Sequence, residues 1–129
     1  MTTILIVDDE VHVLGALRRL LRREGFCIEV AHSGEEALEK LRAFKADLVI
    51  SDFRMRGMNG VDLLGQVMRT SPRTVRVLLS GHADLVQEPG PQSTAGIVSH
   101  FLSKPWDNES LVTEVRNLLE RSSSLPENA

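Results

Sequence analysis

Cysteine, aromatic side chains and long apolar runs are what this 129-residue chain has least of. Its one cysteine, Cys27, excludes an internal disulfide, and an apolar setting makes it a small buried hydrophobe rather than a reactive thiol. No apolar run approaches the ~20 residues that cross a bilayer, and no secretory signal precedes the first apolar segment, so a cytoplasmic protein is expected. Neither sign of charge dominates: a net charge of −3 gives nucleic acid no bulk electrostatic support. The basic cluster Arg18, Arg19, Arg22 and Arg23 reads as a solvated helix face, with a docking patch as the alternative. There is no internal repeat and no linker. The length suits one domain with a real core, expected over 1–121, and a polar tail over 122–129.

What is present is an alternation of apolar strands and amphipathic helices. Thr3 to Val7 reads as a strand, followed by Val11, Leu14, Leu17 and Leu21 at helical spacing and Gly25 as a C-cap. Phe26 to Ala31 is a second strand. Ser33 and Glu36 form a capping box for a helix through Ala43. Ala46 to Ser51 is a third strand, and a loop with Gly57 and Gly60 leads into a helix carrying Val61, Leu64 and Val67. Thr74 to Leu79 and Ile97 to Leu102 are the fourth and fifth strands. Asp107 or Asn108 caps a last helix with Leu111, Val115 and Leu118 inward. Such alternation predicts an α/β fold with a five-stranded, doubly wound parallel sheet, helices on both faces. A flavodoxin-like strand order, 2-1-3-4-5, places the first and third strands side by side at the switch point.

Carboxylates stand at the carboxyl ends of both those strands: Asp8 and Asp9 after the first, Asp52 after the third. Ligands of open α/β sheets sit along that edge. One such aspartate is explained as a helix cap, but three crowded together repel one another and call for a hard divalent cation, magnesium by preference. Ser80, followed by Gly81, ends the fourth strand, and Lys104, followed by Pro105, ends the fifth. An acidic cluster, a hydroxyl and a lysine suit phosphoryl transfer: a carboxylate attacks phosphorus while the cations and the hydroxyl hold its oxygens.

These segments together resemble the receiver domain of bacterial two-component response regulators. The resemblance runs over residues 3–121 and rests on ILIVDDE, VISDFRM with GMNG, LLSG and FLSKPW. It implies that Asp52 accepts a phosphoryl group from a histidine of a sensor kinase or phosphotransfer protein. Asp9, Asp52 and the Arg54 backbone carbonyl would ligate Mg2+ directly, and Asp8 through water. Lys104 would pair with the phosphorylated carboxylate, Ser80 and the Gly81 amide would bond to phosphoryl oxygens, and Lys104–Pro105 would be cis. The KPWD ending is similar to a subset often joined to output domains; here a single-domain module is expected. Ser80 and Phe101 would form the switch, Phe101 by burial because it lacks the usual tyrosine hydroxyl, although it reads equally well as plain core. The domain would then be a regulator rather than an enzyme, and would act on a downstream protein, with a homodimer also open.

Three departures stand out. Arg56 occupies a position where the family usually has proline, so it is expected to add a modulating cation near the entrance and to remove a backbone constraint. Arg54 and His82 flank the site, and are expected to shield the phosphorylated aspartate and lengthen its life; a lifetime unchanged by Arg54→Ala and His82→Ala would contradict this. Finally, Pro89, Gly90 and Pro91 interrupt the segment that would carry a helix before the fifth strand. Each proline costs ~3 kcal/mol in a helix interior, so that helix is expected to be short or broken, without strong amide-exchange protection over Leu85 to Gly96. Two other functions remain open to these residues: a pseudo-receiver that binds partners without phosphorylation, which the altered segment before the fifth strand favours, and an aspartyl-phosphate hydrolase, for whose substrate-enclosing cap 129 residues leave no room.

Overall fold

Strands and helices alternate in the order β1 (Thr3–Val7), α1 (Val11–Arg22), β2 (Cys27–Ala31), α2 (Gly34–Ala43), β3 (Leu48–Asp52), α3 (Gly60–Thr70), β4 (Val75–Gly81), β5 (His100–Lys104) and α4 (Asn108–Ser124). The structure, a computed structural model, describes residues 2–81 and 96–124, the side chains of 123 and 124 aside. The expected break in the helix before β5, and His82, lie outside those residues. α4 continues to Ser124, into the stretch read as polar tail.

All strand pairs are parallel, in the order β2-β1-β3-β4-β5. The cause is visible in β1 and β3, whose residues from Ile4 to Val7 and from Leu48 to Ile50 are buried on both faces. Ile4 and Ile6 point into one core with Leu14, Leu17 and Leu21 of α1 and Leu111 and Val115 of α4. Leu5 and Val7 point into the other, with Ala37 of α2 and Leu63, Leu64 and Val67 of α3. Alternation along each strand thus feeds two separate helix layers.

The helix ends are set by local chemistry. Ser33 Oγ accepts the Glu36 N–H at 3.0 Å, as a capping box requires, but the Glu36 carboxylate reaches back to the His32 N–H (2.8 Å) rather than to that of Ser33. Asn59 Oδ1 caps α3 through the Asp62 N–H at 2.9 Å, and Asp107, not Asn108, caps α4 through the Ser110 N–H at 2.9 Å. Gly25, past the end of α1, has φ 91°, the left-handed geometry expected of it.

β5 departs from the sequence expectation. It begins at His100, not Ile97, and only Leu102 within it is buried. Ile97 and Val98 instead pack from the preceding turn against the core of the α2–α3 face. Arg76 of β4 holds that turn: Nε donates to the Ile97 carbonyl at 2.7 Å, Nη2 to Gly96 at 3.3 Å, and Nη1 to Pro72 and Thr74 at 3.0 and 2.9 Å. Burial lowers the Arg76 pKa from its ordinary value, yet the guanidinium serves four carbonyls at once. Arg76→Met keeps the aliphatic stem and removes those donors. It is expected to cost about 2 kcal/mol, read as a lower denaturant midpoint with unchanged slope; an unchanged midpoint would show the clamp to be idle.

Candidate functional site

The strand order sets the site. β1 leads one way to β2 and β3 lies on its other side, so a crevice opens between the carboxyl ends of β1 and β3. Asp8 and Asp9 leave β1 at that crevice and Asp52 closes β3. Oxygen atoms of all three carboxylates lie within 4.8 Å of one another. Asp8 and Asp52 are 1% and 6% exposed, while Asp9 faces solvent.

Lys104, at the end of β5, reaches across β4 into this cluster. Its Nζ lies 2.9 Å from Asp52 Oδ1 and 3.2 Å from Asp8 Oδ2, so one ammonium bridges two carboxylates. The Lys104–Pro105 peptide is cis, as the resemblance implied. The Glu10 N–H donates to Asp8 Oδ1 at 2.8 Å, and the Arg56 N–H to Asp9 Oδ2 at 3.3 Å.

Burial pushes the Asp8 carboxyl above its ordinary value; the Glu10 N–H and Lys104 pull it down, and the charge of Asp9 adds to the rise. Asp52 is raised for the same first reason, with Lys104 opposing and Asp8 assisting. Burial alone would lower the Lys104 pKa, but its contacts with Asp52 and Asp8 together raise it. The cluster therefore holds more negative charge than its one lysine offsets.

Ser80 and Gly81 are the last residues of β4, and Gly81 stands level with Lys104 in the β4–β5 ladder. Ser80 is 1% exposed, and its hydroxyl is buried without a hydrogen-bond partner among the described residues. A buried orphan hydroxyl next to the strand that carries Asp52 is an open position for an incoming oxygen. The carboxylate cluster is likewise the donor set a hard divalent cation prefers.

The remaining predicted residues divide. Arg56 lines the cleft together with the acidic residues and Lys104, whereas Arg54 is exposed in the loop after β3. Phe101 is on β5 as expected but 42% exposed, so it is not a core residue in this conformation. Glu10, His32 and Ser33 also line the cleft and were not expected there. The signal for them was indirect: β2 is hydrogen-bonded to β1, and the Asp8 N–H donates to the Ala31 carbonyl at 3.2 Å, bringing the end of β2 alongside Asp8.

A family model described as the response regulator receiver domain matches residues 4–116. Among curated proteins the chain is similar to the transcriptional regulatory protein GlrR of Escherichia coli (strain K12), 34% identical over 119 residues, covering 92% of this chain and 26% of that protein. It is similar also to the transcriptional regulatory protein CpxR of the same strain, 35% identical over 122 residues, covering 95% of this chain and 51% of that protein. The chain thus spans about a quarter to a half of the length of these relatives. Among solved structures, a response regulator receiver domain protein from Clostridium thermocellum superposes with a TM-score of 0.85 at 26% identity, covering 95% of this chain and 98% of that one. The response regulator TrrA from Thermotoga maritima, solved in complex with Mg2+ and BeF, gives 0.81 at 30% identity, covering 92% and 99%.

Proposed function

The chain belongs to the response regulator receiver family, and from that membership we propose that it takes a phosphoryl group onto Asp52 from a histidine of a sensor kinase or phosphotransfer protein. What supports the reading most is Lys104 bridging Asp8 and Asp52 inside a cluster of three carboxylates.

The chemistry follows from the residues. An Asp52 carboxylate oxygen attacks phosphorus, the bond from phosphorus to the donor nitrogen breaks, and the imidazole leaves with the electron pair. Lys104 stays beside the phosphorylated carboxylate and offsets the charge that the phosphoryl group brings. The orphan Ser80 hydroxyl donates to a phosphoryl oxygen, joined by the Gly81 amide. Asp9, Asp52 and the Arg54 carbonyl would hold Mg2+ directly and Asp8 through water, and the ion would supply charge neutralisation and orientation of the transferred group.

The phosphoryl group remains on the protein until hydrolysis, so the chain is a regulator and not an enzyme with an external product. Its signal is a changed contact with a downstream protein. Phe101, outward on β5, is the side chain whose burial would carry that change toward a partner or a second copy. Arg54 and His82 are proposed to prolong the phosphorylated state. No helix of the described residues is long and apolar enough to cross a membrane; the cytoplasmic location is proposed from membership of the receiver family. The interaction module without phosphorylation has no observation in its favour: residues 83–95, the altered segment that argues for it, lie outside the described residues.

Histidine-phosphorylated sensor kinases, presented one at a time with labelled phosphate, test the reading. Label is expected to move from a cognate kinase to the wild type and never to Asp52→Asn. Transfer to the variant would place the acceptor elsewhere.

A further inference from the structure

The three clustered carboxylates are not held alike. Asp8 and Asp52 are both fixed by Lys104, and Asp8 also by the Glu10 N–H. Asp9 has its hydrogen bond from a different element, the Arg56 N–H at 3.3 Å, reaching from the loop after β3. That loop is itself anchored. The Gly60 N–H donates to the Phe53 carbonyl at 2.9 Å, and Met58 packs so closely on α2 that a Cβ on Gly34 would meet its sulfur at 2.9 Å. The loop that offers this one backbone donor to Asp9 is thus packed against α2. The charge of the same residue acts the opposite way: Arg56 is among the residues that line the cleft, and a cationic residue there disfavours a second positive charge inside.

We propose that Arg56 is a positioning residue for divalent-cation binding, its backbone N–H setting the Asp9 carboxylate and its guanidinium weakening the cation's affinity. The N–H occupies one lone pair of Asp9 and leaves the carboxylate's other oxygen available, so ordering is gained without loss of a ligand. The guanidinium limits how tightly the cation is held before the phosphoryl group arrives, and attracts that anionic group once it does. This inference rests on the cation-assisted reading given above, and its test needs no phosphoryl transfer.

Calorimetric titration of MgCl2 into wild type, Arg56→Lys, Arg56→Ala and Arg56→Pro separates the two parts, because alanine keeps the N–H and proline lacks it. Arg56→Ala is expected to bind about two- to threefold more tightly than wild type at low salt, with the gain shrinking as salt rises. Arg56→Pro is expected to bind roughly three- to tenfold more weakly than Arg56→Ala, and Arg56→Lys to match wild type. Equal affinity of the alanine and proline variants, or no gain in Arg56→Ala, overturns the proposal. A wild type that binds no magnesium removes the cation-assisted reading itself, a result distinct from equal variants. Should Arg56→Pro not fold, the Arg56 amide proton of the wild type decides. It must shift upfield in Asp9→Ala and stay downfield with magnesium bound, and an amide indifferent to Asp9 overturns the proposal.

Discussion

Gly60→Ala is expected to lower the melting temperature by roughly 10 °C and to disturb Asp52 directly. A Cβ at Gly60 would lie 2.2 Å from the Asp52 backbone oxygen and 2.8 Å from Leu78 Cδ1. Neither neighbour can yield cheaply. The Asp52 oxygen belongs to the end of β3, which is paired to β4 at Leu79 and accepts the Ser51 hydroxyl at 3.0 Å. Leu78 is fully buried in the core of the α2–α3 face. Overpacking against backbone costs about 3 kcal/mol, which for a domain of this size is the stated fall in melting temperature. Gly65→Ala is the control in the same helix. Its Cβ would meet nothing closer than Arg69 Nη2 at 3.8 Å, so helix propensity should leave it neutral or up to about 1 kcal/mol more stable. Equal melting of Gly60→Ala and wild type would show that β3 is not fixed where the ladder places it.

Asp52→Asn is expected to end phosphorylation and, at the same time, to stabilise the metal-free protein. Burial raises both Asp52 and Asp8 above the ordinary 3.8, and one lysine serves both. With folded-state values above the unfolded ones, the folded protein binds these protons more readily. Their favourable contribution is fully present below the unfolded value and is lost as pH rises through the raised folded values. At pH 7 the metal-free protein therefore carries excess charge in the cluster. Asparagine removes one carboxylate and leaves Lys104 paired with Asp8 at 3.2 Å, so no buried cation is stranded. The variant should melt about 3–6 °C higher at pH 7, on the order of 1 kcal/mol, with the gap closing toward pH 3. Saturating magnesium should raise the wild type and leave the variant unmoved. A variant less stable than wild type at pH 7 would mean that Lys104 needs Asp52 more than the cluster suffers from it.

The fold was legible because its signals are redundant. β1 and β3 declare themselves by apolar runs buried on both faces, and the strand order follows from the alternation with helices. That pattern alone brings Asp8, Asp9 and Asp52 together, and Ser80 and Lys104 follow from their strand ends. The failures are equally specific. The start of β5 was misplaced because Ile97 and Val98 are apolar for a different reason: they fill the core from a turn that Arg76 clamps, and composition does not distinguish strand from turn there. The sequence does not mark His32 and Ser33 as cleft residues, because only strand register reveals that the end of β2 lies beside Asp8. Arg56 shows in the sequence a charge and the loss of a proline. Its backbone N–H, which every residue but proline possesses, carries no mark in the sequence that it would find Asp9.

Intact mass after incubation with acetyl phosphate, with and without magnesium, for wild type and Asp52→Asn, tests the central claim most directly. A magnesium-dependent gain of one phosphoryl group by the wild type, absent from the variant, is the predicted result. The same gain in the variant would contradict Asp52 as the acceptor.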